Sequence, residues 1–214
     1  MSRPPDPGLE DRILNAAYKL WKKDGSRALT LRAVARAANT NTPAVYRRFR
    51  DRQDIVRALI RRTQQEFGSI LQPCLSVEEA VAAYLRYALS HPHEYELFYQ
   101  YLHELSGSIP PGRAPSLKEL RPNFALMETK LSEQLGGAPK DHRRLGLALW
   151  ALAHGTITLL LSKAVPPGQE AALRSGFTAA VRAMLQDTFR SSLRKSKQIR
   201  RRAASSQSSG LSEN

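Results

Sequence analysis

Cysteine is all but missing from this 214-residue chain, which carries Cys74 alone. One thiol can close no internal disulfide and supplies no Cys pair to a structural zinc, so the fold is not expected to need an oxidising compartment. Long apolar runs are missing too. No uninterrupted stretch nears the ~20 apolar residues that span a bilayer, and the opening MSRPPDPGLEDR has no apolar signal core. The expectation is a soluble, cytoplasmic protein. Also lacking are a glycine-rich phosphate loop, a nucleophilic serine elbow and a carboxylate pair that stands out, so no catalytic residue and no enzymatic role are expected. His91 and His93 flank Pro92 and could join His103 around a metal. However, i, i+2 spacing does not put two imidazoles on one helical face and no cysteine completes the set, so neither metal nor cofactor is expected. Alternating apolar runs and internal repeats are not visible, so no strand is predicted.

Acid is in short supply: 19 Asp and Glu stand against 33 Lys and Arg, a net charge of +14. Residues 1–62 hold fifteen bases against six acids, residues 63–189 eleven against twelve, and residues 190–214 seven against one. A basic beginning, a nearly neutral middle and a basic end is the asymmetry of a chain that meets a polyanion with one part and does something else with the rest. Nucleic acid is the first candidate. A membrane surface is not expected as a partner, because no helix opposes a broad Trp/Phe/Leu face to a Lys/Arg face.

The apolar content, 42%, suffices for a proper core, and its periodicity is helical throughout. Leu9 to Asp24 puts Ile13, Leu14, Ala17, Leu20 and Trp21 on one side, with Gly25 as a stop. Asp51, with Asp54 three residues on, should cap a longer helix that ends near Leu71 before Pro73. Val77 to Ser90 and Pro92 to Leu105 read as amphipathic helices. Residues 106–116 read as a turn-rich loop, and a helix through Leu117, Leu120, Phe124, Met127 and Leu131 ends at the GGAP of residues 136–139. Two helices follow, about Asp141 to Lys163 and about Gln169 to Arg190, split by VPPG. The class is all-α, with about nine helices. The organisation expected is a basic helical domain over 1–55, a nearly neutral helical domain over 56–190, and a basic, Ser-rich tail over 191–214 that lacks core residues and reads as disordered.

Residues Leu31 to Phe49, LRAVARAANTNTPAVYRRF, carry the function. Leu31, Val34, Ala35 and Ala38 fall at i, i+3, i+4 and i+7, the stripe of a short helix for which Thr30 is an N-cap candidate. Asn39, Thr40 and Asn41 interrupt it with residues that tolerate left-handed backbone or bond their own backbone. Asn41 can then cap a second helix, Pro43 suits its first turn, and Ala44, Val45 and Phe49 give an inner face. Thr42, Tyr46, Arg47 and Arg48 remain outside, able to donate to phosphates and base edges. The plain alternative is two surface helices of a helical protein.

The run DRILNAAYKLWKKDGSRALTLRAVARAANTNTPAVYRRFRDRQDIVRALI resembles the N-terminal domain of TetR-family transcriptional regulators. Gly25, Thr30, Tyr46, Phe49 and Arg52 stand where that family has its first-turn glycine, its second-helix threonine, its Tyr-x-x-Phe and the lysine opening its fourth helix. Farther on, HPHEYELFYQ and WALAHGTITLL resemble segments of one C-terminal type of the family, with Trp150 and His154-Gly155 as its Trp-x-x-x-His-Gly. The chain departs where the family has Gly-Val-Ser and Asn39, Thr40 and Asn41 stand here. The resemblance implies a DNA-binding helix-turn-helix domain over 1–55 and ligand binding and dimerisation over 56–190. It implies hydroxyls of Thr30 and Tyr46 on phosphates, neutralisation by Arg47, Arg48 and Arg52, Thr42, Pro43 and Ala44 at the helix start facing base edges, and the capping Asn41 also among the DNA-binding residues. It implies a homodimer through the last two helices, in which Leu145, Leu149, Leu152, Thr156 and Leu159 or their opposite face would meet Phe177, Val181 and Met184. Two recognition helices would then enter a palindromic operator about 34 to 36 Å apart on double-stranded DNA. A small apolar or aromatic effector would sit among Phe67, Leu71, Tyr84, Phe98, Phe124, Met127, Trp150 and His154, each of which reads first as plain core, and would release a repressor from its site. The rival is a ligand-independent repressor or architectural protein with a packed middle. The tail with Arg200, Arg201 and Arg202 is either a sequence-neutral DNA contact or a solubilising end.

Overall fold

The computed structural model describes residues 6–97, 99 and 121–209. Among the described residues every regular element is helical. The chain forms two compact units, the first comprising the chain up to Ser69 and the segment that begins at His91, the second Ile70–Ser90 and the chain from Asn123. The first is therefore larger than the 1–55 segment read from the sequence.

In the first unit α1 (Leu9–Asp24) buries Ile13, Leu14, Ala17 and Trp21 along one stripe. It ends at Gly25, whose φ of 69° is a left-handed position that a Cβ would strain, and the Gly25 N–H donates to the Trp21 carbonyl at 2.8 Å. A 3-10 turn over Ser26–Ala28 leads to α2 (Leu31–Ala37), α3 (Thr42–Tyr46) and α4 (Arg52–Leu71). Ile13, Leu29, Val34, Val45, Ile55 and Ile60 are wholly enclosed, and each such side chain stabilises the unit by roughly 1.5–3 kcal/mol through water release. Leu97 joins the same core from a helical stretch over residues 92–97 that opens at Pro92, as expected. Asp51 takes the capping role assigned to it, its carboxylate accepting from the Asp54 N–H at 2.7 Å.

The second unit is built from α5 (Val77–Ser90), α6 (Pro122–Leu135), α7 (Arg143–Leu161) and α8 (Glu170–Ser209). The expected positions Leu117 and Leu120 lie outside the described residues. Helix α6 stops at Gly136, and a 3-10 turn over Pro139–His142 precedes α7. Packing of α6 on α7 depends on a missing side chain, since a Cβ at Gly146 would stand 3.3 Å from the Phe124 ring. The buried Lys130 is anchored: its ammonium donates to the Gln72 and Cys74 carbonyls at 3.1 and 2.6 Å, closing the chain end that follows α4.

Two features depart from the sequence reading. Within Pro139–Leu161, 23 residues, an 18-residue stretch has a mean hydropathy of 1.4, so this segment is long and apolar enough to cross a membrane by length and composition. Here it packs as a helix of the second unit, burying Leu149, Ala153, Thr156 and Ile157. The second departure is in α8, which continues through residues 191–209 where the Ser-rich composition suggests disorder. Absence of core residues removes a reason to fold onto a unit, but not the ability to continue a helix. Between Arg190 and Ser209 the chain has neither Pro nor Gly, and its Arg, Lys, Gln and Ala are good helix formers.

Candidate nucleic-acid interface

A five-residue helix cannot stand on its own propensity, and α3 is held from both ends and beneath. At its start the Asn41 carboxamide oxygen accepts from the Ala44 N–H at 2.8 Å, leaving the amide NH2 outward. Below, Ala44, Val45 and Phe49 are buried. Past Tyr46, the Arg48 and Phe49 N–H groups both donate to the Val45 carbonyl at 2.9 Å, carrying the turn to Phe49.

The helix before it is fixed with equal care. The Thr30 hydroxyl caps α2 by accepting from the Ala33 N–H at 3.1 Å, and its own proton remains to donate. At the other end Asn39 has φ 51°, and the N–H groups of Asn39 and Thr40 return to the Arg36 and Ala35 carbonyls at 3.2 and 2.9 Å. That is a Schellman closure with asparagine in the place of glycine. Thr40, whose packing is where the chain departs from the family pattern, is half-buried.

On the outer side the structure brings together Asn41, Pro43, Tyr46 and Arg47, all exposed, with Thr42 half-exposed among them; Tyr46 keeps 55% of its surface open. This face offers a phenol, a guanidinium and a carboxamide to an acceptor-rich surface. Two expected contacts differ. Ala44, expected at a base edge, is only 4% exposed and belongs to the core, because a helix this short must turn both Ala44 and Val45 inward to be held at all. Arg48 turns toward the α1 side, its guanidinium donating to the Asp6 carbonyl at 3.5 Å and lining a groove with Glu10, Asp11 and Asp54. The phosphate contact expected of it would therefore compete with acidic neighbours. Arg52, half-buried, opens α4. Arg57 is bound by Asp51 and Asp54 at 3.7 and 3.3 Å. Sequence reasoning passed over Arg32 and Arg36, both exposed, whose i, i+4 spacing on the polar side of α2 was the available signal.

The helical stretch over residues 92–97 fastens to α1. Tyr18 donates its hydroxyl to the buried Glu94 carboxylate, and His93 meets Trp21 edge-on with ring centres 6.0 Å apart. Burial pushes the Glu94 carboxyl above its ordinary range, offset in part by a backbone hydrogen bond.

The residues expected around an effector do not all fall in one unit. Phe67 is in the first; Leu71, Tyr84, Phe124, Met127, Trp150 and His154 are in the second; Phe98 lies outside the described residues, as does His103. Leu71 is enclosed and serves as core. Phe124, Trp150 and His154, all half-buried, form a connected aromatic row with centres 6.4 and 6.3 Å apart.

Residues 13–59 match the family model of bacterial regulatory proteins, tetR family, and residues 77–199 that of the tetracyclin repressor-like C-terminal domain. An uncharacterized HTH-type transcriptional regulator of Bacillus subtilis (strain 168), YvkB, is 39% identical over 61 residues, which are 28% of this chain and 32% of that protein. The chain thus matches about a third of that curated relative's length. A protein of unknown function from Rhodococcus sp. RHA1 shares the fold with a TM-score of 0.67 at 22% identity, over 87% of this chain and 98% of its own. A TetR protein of Acinetobacter baumannii AYE, solved in complex with minocycline, does so with 0.55 at 18% identity, over 88% and 98%. With one domain match lying on the helix-turn-helix and a second covering more than half of its length, the chain belongs to the TetR family of bacterial transcriptional regulators.

Proposed function

We propose that this chain is a homodimeric repressor that reads a palindromic operator with α3 and leaves it when a small apolar or aromatic molecule binds the second unit. The observation that carries the reading is the outer face of α3, where Pro43, Tyr46 and Arg47 stand open beside the half-exposed Thr42, on a helix capped by the Asn41 side chain and following an α2 capped by Thr30. Asn41, Thr30 and Tyr46 supply hydrogen-bond donors to phosphate, Arg52 adds charge at the start of α4, and Thr42 and Arg47 read bases, a threonine methyl suiting thymine and a guanidinium suiting guanine. A DNA partner implies a place in the cytoplasm.

Dimerisation is supported by what α7 and α8 leave uncovered. The faces with Leu149, Thr156, Phe177 and Val181 are buried within the unit. The opposite ones expose Leu147, Ala151, Gly155 and Leu159 on α7, and Ala172, Gly176, Ala179 and Ala183 on α8, at helical repeats. A Cβ at Gly155 or Gly176 would meet nothing within 4 Å, so a second backbone could approach closely there. The effector reading draws on the aromatic row of Phe124, Trp150 and His154, with Tyr84 and Met127 half-buried in the same unit, and on the minocycline held by the Acinetobacter protein. A ligand lowers DNA affinity only by favouring a dimer geometry that fits the grooves less well.

The test is binding to the promoter DNA of the chain's own gene against a random duplex. Arg47→Ala should weaken promoter binding by roughly 1–3 kcal/mol and random binding far less. Equal loss on both would sink base readout by Arg47. Tyr46→Phe, which removes a phosphate donor, should weaken both alike.

A further inference from the structure

The basic end of α8 is unused by that reading. Residues 190–214 carry seven Lys and Arg against one acid. Within the helix, Arg190, Arg194, Lys197 and Arg201 recur at steps of four, three and four, which places them within about 60° of one another around the axis, along about 16 Å of it. Arg190 and Arg194 are exposed. Lys195, Arg200 and Arg202 take other register positions. A strand of duplex DNA presents a phosphate every ~3.4 Å, so a cationic ridge of this length runs beside about five of them. Leu193 and Ile199, the large apolar residues between Arg190 and Ser209, stand six apart and make no stripe, which argues against a membrane surface. The family match ends at residue 199, so Arg200 to Arg202 lie past the matched residues.

We infer that the ridge of Arg190, Arg194, Lys197 and Arg201 is a second DNA contact, sequence-neutral and directed at the phosphate backbone of duplex DNA. It rests on the DNA-binding reading above for its choice of polyanion. Its energy comes from releasing the counterions condensed on DNA, so it adds affinity everywhere along a duplex and specificity nowhere. A repressor so equipped is kept near DNA while α3 samples sites.

The experiment compares two full-length variants that each lose three charges. One carries Arg194→Gln, Lys197→Gln and Arg201→Gln, on the ridge; the other carries Lys195→Gln, Arg200→Gln and Arg202→Gln, off it. Glutamine keeps helix propensity, and circular dichroism verifies that both remain helical. Affinity for a random-sequence duplex is followed by fluorescence anisotropy across a salt series. Loss of the ridge should flatten the slope of log Kd against log salt by about 2.7 per chain bound, and weaken binding at low salt roughly tenfold or more. The off-ridge variant should lose less than one unit of slope. An unchanged slope in the ridge variant overturns the inference, as does an equal loss in both, or ridge-dependent binding to phosphatidylglycerol vesicles with DNA binding unchanged. The Arg47→Ala comparison on promoter DNA stands apart from all of these, so the failure of base readout and the failure of the ridge are told apart.

Discussion

Asn39 and Asn41 show how far single residues specify the interface. Asn39 holds a positive φ of 51° that lets α2 close and the chain turn into α3, and asparagine reaches that region at small cost because its short polar side chain bonds locally. Asn39→Gly should leave stability within a few tenths of a kcal/mol, whereas Asn39→Val should cost about 1–2 kcal/mol, measured by urea denaturation. Equal midpoints for the two variants would refute the strain argument. Both asparagine roles were legible in the sequence because a capping residue and a left-handed residue are local choices. The inward turn of Ala44 was not, since five residues are too few to display a stripe and Ala is at home on either face.

Among the elements, the segment that opens at Pro92 taught most. Its amphipathic spacing was readable, and so was its first turn, but not its destination in the first unit, with Leu97 in the core and Glu94 under Tyr18. Polar pairs 76 residues apart leave no periodic signature. The raised Glu94 carboxyl gives this attachment a pH dependence of definite sign. Burial favours the protonated form, so the contribution of Glu94 is complete below the ordinary carboxylate range and is lost as pH rises through its elevated value. Glu94→Gln, neutral at every pH, should gain on the parent in melting temperature as pH rises from the ordinary carboxylate range through the elevated one. A difference that stays constant with pH would show that Glu94 does not titrate in that window. The length of α8 was missed for another reason: a Ser-rich, core-less composition was read as disorder, although nothing in it stops a helix before Gly210.

For the molecule as a whole, the question left open by the sequence was which face of the last two helices is inside. Apolar residues surround α7, so periodicity could not choose; packing does, enclosing Leu149, Ala153 and Ile157 and leaving Ala151 and Gly155 open. If that open side joins two chains, Ala151→Arg and Ala179→Arg should each shift sedimentation toward a monomer and weaken binding to a two-fold promoter site. A persistent dimer in both would place the interface elsewhere. The charge distribution belongs to this scale too, and there the sequence was a good guide: the basic beginning coincides with the helix-turn-helix and the nearly neutral middle with most of the second unit.

Cys74 has an unplanned use. It is 8% exposed, its thiol rests 3.4 Å from the Ile70 carbonyl, and no other sulfhydryl exists in the chain. A thiol-directed dye can reach it only when the second unit opens around the end of α4, so labelling kinetics in native buffer time that opening alone, with no engineered probe. Adding an effector candidate or a duplex to the reaction and watching the dye slow or quicken would turn one silent sulfur into a stopwatch for the second unit.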